Sequence, residues 1–205
     1  MLRISKKRIF DLSISIPVFL FISPILLIFC VSVYIYDKGN PIYVAKRVGL
    51  NGKVFRIFKI RTMVIDADKI GGTSTSKSDA RILPIGKTIR KLKLDEFAQF
   101  LNVINGTMSI VGPRPNTVMD CSYYSNKEKN LLTISPGITD YSSIIFADEG
   151  EIISKFKDPD LAYNQLIRPW KSRLGLFYIK KQSFLVDLII IFLTFINIFS
   201  RRQSL

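Results

Sequence analysis

Two long apolar runs bracket the chain, and between them polar and apolar positions alternate in shorter periods. Residues 12–36 run for 25 positions without a charged side chain. At 1.5 Å per residue, a helix of that length can cross a hydrocarbon core of roughly 30 Å. Arg3, Lys6, Lys7 and Arg8 precede the run, and Lys38, Lys46, Arg47, Lys53, Arg56, Lys59 and Arg61 follow it. Basic flanks prefer the cytoplasmic side, so a segment that enters and returns on one face suits both flanks better than a straight span. Ser23-Pro24 lies at the middle of the run, with Pro17 a second weak point. Proline removes a backbone donor and crowds the carbonyl four residues back, and the Ser23 hydroxyl can occupy a backbone group so freed. The expectation is a re-entrant anchor over residues 1–36, broken at Ser23-Pro24. A secretory signal fits poorly, because the run is too long and no small-x-small site follows it. The second run, 183–200, carries one charge, Asp187, between Lys180-Lys181 and Arg201-Arg202. A short span and an interfacial or core-packed helix both suit its hydropathy. The need of Asp187 for a partner or the interface favours a helix at the membrane surface.

The body between these runs, part of a unit expected over 37–205, mixes strand and helix signals. Over 42–61, Val44, Val48, Val54, Ile57 and Ile60 stand among polar residues, and Asn51-Gly52 is the turn signal of a β-hairpin. Its basic residues form either a solvated ribbon or a cradle for phosphate or anionic lipid. Residues 66–81 are a Gly/Ser/Thr/Asp loop, disordered or lid-forming. From about 86 to 104, Ile85, Ile89, Leu92, Phe97, Phe100, Leu101 and Ile104 recur at near-helical spacing and predict one helix. Gly112-Pro113-Arg114-Pro115 follows, where two prolines fix the backbone around one arginine and present its guanidinium at little entropic cost. Ser135-Pro136-Gly137 marks another turn. The fold class expected is a small mixed α/β domain, monotopic in the membrane, with interfacial amphipathic helices.

Composition sharpens this picture. The 205 residues include 30 basic, 16 acidic and no histidine side chains, for a net charge of +14, yet 48% are hydrophobic and mean hydropathy is +0.24. A disordered basic tail is excluded, because disorder requires low hydrophobicity. Without histidine there is no Ser-His-Asp or Cys-His catalysis and no His-ligated zinc. Cys30 and Cys121 have no CxxC spacing, so a disulfide framework is not expected and a reducing compartment fits. A soluble nucleic-acid binder would explain the charge but not the apolar runs, and the basic stretches lack interleaved aromatics. Membrane lipids explain both properties, since each basic residue near an anionic leaflet gains roughly 1 kcal/mol.

The candidate chemistry lies at Asp95-Glu96. Adjacent carboxylates on a helix point about 100° apart, and two surface acids paired with Arg90 or Lys91 are the plain alternative. Cations nearby depress a carboxylate's pKa and keep it ionised. An ionised carboxylate can attack phosphorus or hold Mg²⁺ together with phosphate oxygens, and arginines can neutralise charge developing on a phosphoryl group. Residue types alone therefore permit phosphoryl transfer at a membrane face.

Taken together, KRIFD (7–11), Ser23-Pro24, RVGLNG (47–52), FRIFKIRTM (55–63), LDEFAQFLNVINGTMSIVGPRP (94–115), SPGIT (135–139) and YIKKQSFLVDL (178–188) resemble the bacterial sugar transferase family, the monotopic phosphoglycosyl transferases. The likeness runs from about residue 6 to 202. It implies a re-entrant helix broken at Ser-Pro, and transfer of a sugar phosphate from a UDP-sugar to undecaprenyl phosphate with release of UMP. That step primes capsule, exopolysaccharide, O-antigen or glycoprotein glycan synthesis at the cytoplasmic face of the bacterial inner membrane. By the same resemblance Asp95 is the nucleophile, forming a covalent glycosyl-phosphate. Glu96 is its partner acid, binding Mg²⁺ or assisting the acceptor, with Asp95 also within reach of the metal. Lys59, Arg90 and Arg114 fall on basic positions near the phosphates, and Arg47 in RVGLNG joins them as a candidate. The resemblance leaves room for a homodimer.

The chain departs from the family pattern in four places. Ala98 and Thr107 stand where many members have Pro and Asp, Gly175 replaces a common Asp, and 140–145 replaces a common Gly-Trp-Ala-Gln-x-Asn-Gly-Arg run. The last departure implies a different donor sugar. It also motivates an alternative, a catalytically silent paralogue that binds lipid phosphate or nucleotide sugar.

Overall fold

The computed structural model describes residues 5–70 and 79–200. Its elements in chain order are α1 (Lys6–Asp37), β1 (Ile42–Val48), β2 (Val54–Ile60), α2 (Ala67–Ile70), α3 (Pro84–Lys91), a 3-10 turn (Leu94–Gln99), α4 (Phe100–Ile104), β3 (Ser109–Val111), α5 (Val118–Ser122), β4 (Gly137–Thr139), α6 (Tyr141–Ile145), α7 (Glu149–Ser154), α8 (Pro159–Ala162), α9 (Arg168–Lys181) and α10 (Phe184–Ser200). The strands form an antiparallel pair β1-β2 and a parallel pair β3-β4. A mixed α/β body with a long apolar N-terminal helix was expected, and it is found.

The hairpin forms as predicted. Ile42 pairs with Ile60 and Val48 with Val54. The chain reverses through Asn51 (φ 55°) and Gly52 (φ 75°), the two left-handed positions that Asn-Gly supplies readily. The 71–78 part of the polar loop lies outside the described residues. Asp79 is bound by the Arg81 guanidinium at 2.6 Å.

The single helix expected over about 86–104 is not formed. Lys93 adopts a left-handed conformation (φ 56°, ψ 19°) and ends α3, and a 3-10 turn begins at Leu94. The left-handed form costs a non-glycine residue roughly 1–2 kcal/mol. The return is packing: Leu94 is buried with Ile60, Leu83 and Ile89 against Leu26 and Val33 of α1, each such side chain worth about 1.5–3 kcal/mol. The break also sets Asp95 and Glu96 on a turn of different pitch from α3.

Helix α1 runs through Ser23-Pro24 with both prolines inside it. Pro24 leaves the Leu20 carbonyl without its usual donor. The Ser23 hydroxyl donates to that carbonyl at 3.0 Å, which relieves the defect within the helix. Both ends of α1 are tied to the same body. Near its start, the Arg8 guanidinium donates to the Val103 and Ile104 carbonyls, and Asp11 accepts from the Ile110 amide at 3.1 Å. At its end, both Asp37 carboxylate oxygens accept from Arg61 at 2.6 Å.

Helix α10 confirms the second apolar run. Asp187 is buried and has a partner: Lys7 Nζ lies 2.5 Å from Oδ2, and the Tyr178 hydroxyl donates to Oδ1 at 2.6 Å. The outer faces of both helices remain apolar and exposed, with Leu20, Phe21, Leu27, Ile28 and Ile35 on α1 and Phe184, Leu185, Phe192 and Phe195 on α10. Phe10 meets Phe184 edge-on at 5.0 Å, joining the two faces. Helix α1 has the length and composition to cross a membrane, which fits membrane association.

A fully buried Asn102 clips α4 to β2. Its Oδ1 accepts from the Phe58 amide at 3.0 Å and its Nδ2 donates to the Arg56 carbonyl at 2.7 Å. Replacing Asn102 by Leu strands both backbone groups, each costing roughly 1–3 kcal/mol. The expected result is a loss of about 2–4 kcal/mol in urea unfolding followed by circular dichroism. A midpoint unchanged from wild type would refute the clip.

Candidate functional site

Three of the candidate residues meet at Glu96. Lys59, the penultimate residue of β2, places Nζ 3.1 Å from Glu96 Oε1. Arg114 donates through Nη2 to Oε1 and through Nη1 to Oε2, the latter at 3.5 Å. Asn102 positions β2, and hence Lys59, against the turn that carries Glu96. Arg114 is positioned by the strands beside it. The Gly137 amide donates to the Pro113 carbonyl at 3.0 Å, and the Gly112 amide to the Thr139 carbonyl at 3.1 Å. A Cβ on Gly112 would stand 2.4 Å from the Ser135 carbonyl oxygen, and one on Gly137 would stand 2.1 Å from the Gly112 nitrogen. Backbone therefore packs on backbone here, and only glycine at both positions lets the Pro-Arg-Pro turn sit so close to β4.

The two carboxylates differ in electrostatics. Burial opposes the charge on Glu96, but Arg114 and Lys59 outweigh it and hold that carboxyl well below the usual range. Asp95 is 9% exposed. Burial pushes its carboxyl above the ordinary 3.8, Lys59 pulls it down, the Glu96 charge pushes it up, and Arg90 and Lys93 pull it down. The expectation that neighbouring cations depress the pair is met at Glu96 and reversed at Asp95. Burial is the larger cause, and the close cations spend their contacts on Glu96. The hydrogen bonds of the described residues leave the Asp95 carboxylate unengaged. Glu96 in turn holds the Arg114 guanidinium more firmly protonated than usual.

Arg90, in the last turn of α3, acts on Asp95 through space as expected of a basic position near the site. Arg47 is not brought into the cluster. Its guanidinium folds back to donate to the Lys46 carbonyl at 2.9 Å, and the register sets Arg47 opposite Phe55, four residues along β2 from Lys59 on the same face of the hairpin. Asn102 was missed from the sequence, although an asparagine inside the apolar stretch Phe-Leu-Asn-Val-Ile was a signal for a buried polar clip. Also missed was the polar arrangement beyond Arg114. There Asp140 caps α6, accepting from the Ser143 amide at 2.7 Å and from the Ser142 and Ser143 hydroxyls, so the departure at 140–145 is a well-bonded turn. Thr107 is equally settled, its hydroxyl donating to Asn105 Oδ1 at 2.8 Å.

The turn carrying the carboxylates rests on α1: Leu94 and Phe97 pack with Phe19, Ile22, Leu26 and Phe29. A charged cluster thus lies directly against the apolar helix.

A family model described as bacterial sugar transferase matches residues 2–201. The UDP-glucose:undecaprenyl-phosphate glucose-1-phosphate transferase of Klebsiella pneumoniae is 31% identical over 202 residues, covering 97% of this chain and 41% of the relative. The undecaprenyl-phosphate glucose phosphotransferase of Komagataeibacter xylinus is 33% identical over 205 residues, covering 96% and 36%. The galactosyl transferase CpsE of Streptococcus agalactiae is 40% identical over 144 residues, covering 65% and 32%. The chain spans between about a third and two-fifths of the length of these relatives. With the match running almost end to end over a site of this geometry, the chain belongs to the bacterial sugar transferase family.

Proposed function

We propose that the protein transfers a sugar 1-phosphate from a UDP-sugar to undecaprenyl phosphate, releasing UMP, and so begins assembly of a bacterial polysaccharide or glycan. The observation that carries this reading is the division of labour between two adjacent acids. Glu96 is held ionised by Lys59 and Arg114, and Asp95 keeps its oxygens unengaged in a buried setting that raises its basicity. The relatives' names, which specify undecaprenyl phosphate and a sugar phosphate, support the same reading.

Asp95 Oδ attacks the sugar-bearing β-phosphorus. The bond from that phosphorus to the bridging oxygen breaks, and its electron pair leaves on the phosphate of UMP. The phosphate oxygen of undecaprenyl phosphate then attacks the phosphorus held on Asp95. The Asp95–phosphorus bond breaks, the carboxylate is restored, and the sugar leaves on a polyprenyl diphosphate. Arg114 and Lys59 lie where charge on the transferred phosphoryl group needs neutralising. Half-buried, these cations are screened less than they would be in open water.

Mg²⁺ suits such a site. It takes one or two carboxylates together with substrate phosphates. Among the described residues no group of three acidic or cysteine side chains stands ready for a metal, so the diphosphate itself would complete the shell. Asp95 has the unengaged oxygens for it, and Glu96 can share one of its own. Once bound, the ion screens the charge of the diphosphate.

The acceptor is a lipid, and α1 suits it. About 48 Å of helix, at 1.5 Å per residue, lies alongside the body with both ends bound to it. A straight span with its ends on opposite sides of the bilayer does not suit these ties. Insertion into one leaflet from the cytoplasmic face does.

Four outcomes are expected. Asp95→Asn abolishes UMP release and the glycosyl-phosphate adduct in intact-mass spectra of donor-treated enzyme; appreciable turnover by the variant overturns the nucleophile. The wild-type rate falls as pH drops through the Asp95 value, because attack needs the ionised form, and this acid limb lies above the ordinary 3.8. Glu96→Gln removes the neighbouring negative charge that raises Asp95, so the limb moves to lower pH in a stopped assay of residual activity; an upward move contradicts the electrostatics. In a variant lacking both native cysteines, Lys6→Cys and Lys38→Cys both react with an impermeant maleimide from the cytoplasmic side of inverted vesicles. Labelling of either from the opposite side rules out one-leaflet insertion.

A further inference from the structure

The row of charges continues past Arg114. Glu149 and Asp140 both act on that guanidinium through space. Glu149, the first residue of α7, is paired with Lys171 on α9. Lys171 stands one turn before Gly175, and a Cβ at Gly175 would lie 3.5 Å from Pro113 Cβ. Residues four apart share a helix face, so Lys171 borders the Pro113-Arg114-Pro115 turn. The sequence Lys59, Glu96, Arg114, Glu149, Lys171 is therefore an alternating row of three cations and two acids. The Lys171 ammonium lies 5.1 Å from the Tyr163 ring centroid, and its side chain is 15% exposed against 32% for Glu149.

This arrangement is asymmetric. Burial lowers the pKa of Lys171, Glu149 raises it, and the Arg114 charge lowers it again, so a second anion beside both cations is favoured. Glu149 is exposed enough to turn into water. Asp140 is not, since the Ser142 and Ser143 hydroxyls and the Ser143 amide hold it. A diphosphate needs cations on both of its phosphates, and Lys59 with Arg114 provides for only one.

We propose that Lys171 is a donor-binding residue that, with Arg114, holds the phosphate leaving with the nucleotide, and that Glu149 occupies its ammonium until the donor arrives. The inference rests on the reading of the donor as a nucleoside diphosphate sugar. When the bridging bond breaks, the electron pair stays on the nucleotide phosphate, and Lys171 donates to the oxygens that gain the charge.

The test is calorimetric binding of UMP, with uridine as the phosphate-free control, to the full chain in detergent. Lys171→Met weakens UMP about tenfold, the scale of one lost charge-assisted hydrogen bond, while uridine binding is unchanged. Lys171→Arg restores most of the affinity. Glu149→Gln tightens UMP, because the ammonium is released from its competitor. A merely structural ion pair predicts that Lys171→Met and Glu149→Gln both weaken UMP and uridine alike, and that result overturns the proposal. So does wild-type affinity for UMP in Lys171→Met, or a wild type that binds no UMP. The wider functional reading fails separately, if the wild type binds UMP yet releases none from a panel of UDP-sugars with undecaprenyl phosphate.

Discussion

A carboxylate that stays charged away from bulk water needs cations delivered to it, and Glu96 draws them from distant parts of the chain. Lys59 comes from a hairpin strand and Arg114 from a proline-flanked turn beyond β3. An unpaired charge at that depth would cost several kcal/mol, so the hairpin, the 3-10 turn and the β3-β4 pair are bound to one geometry. The supports are correspondingly rigid: Asn102 completes the backbone of β2, and two glycines let the Pro-Arg-Pro turn lie against β4. Glu96 absorbs the cation contacts, so Asp95 keeps open oxygens, and its burial raises its pKa. One ion-pair cluster thereby separates two adjacent acids into an electrostatic anchor and, in the proposed reading, a nucleophile.

The second constraint comes from the apolar helices. Helix α1 contributes Phe19, Ile22, Leu26 and Phe29 to the packing beneath Leu94 and Phe97, so the reactive turn is built directly on the surface that faces lipid in the proposed reading. The buried Lys7-Asp187-Tyr178 group ties α1, α9 and α10 together, and the Tyr178 hydroxyl reaches the Val111 carbonyl of β3 at 3.3 Å. Val111 precedes the Gly112-Pro113-Arg114 turn. The helices that present the apolar surface are thus mechanically continuous with the strand that positions the arginine. A protein joining a water-soluble donor to a lipid acceptor benefits from such continuity, since neither substrate can leave its own phase.

The segment at 140–145, where the chain departs from the common family pattern, is ordered by its own chemistry. Asp140 satisfies the start of α6 and two serine hydroxyls. Gly175, the other departure on this side, makes room for Leu131 and Pro113, since a Cβ there would stand 2.7 Å from Leu131 Cδ2. Both lie on the Arg114 side of the cluster: Asp140 acts on the guanidinium through space, and Gly175 packs beside Pro113.

Local chemistry was legible without coordinates. The Asn-Gly reversal, the apolar runs that become α1 and α10, and the adjacent carboxylates could be read along the chain, because each depends on neighbours or on hydropathy, whereas Lys59, Arg90 and Arg114 were set beside the carboxylates only by the family resemblance. The break at Lys93 could not: no glycine marks it, and the left-handed turn is repaid only by burying Leu94 against α1. The Ser23 hydroxyl was legible as a filler for the backbone group that Pro24 frees, and it donates to the Leu20 carbonyl. Arg47 looked equivalent to Lys59 in composition and was separated from it by hairpin register, which sets it opposite Phe55, four residues from Lys59. The sequence by itself determined which charges and apolar surfaces this protein possesses. Which acid keeps the cations, and which is left open, was decided only when strands and turns distant in sequence met, because Coulomb energy depends on distances that the order of residues does not contain.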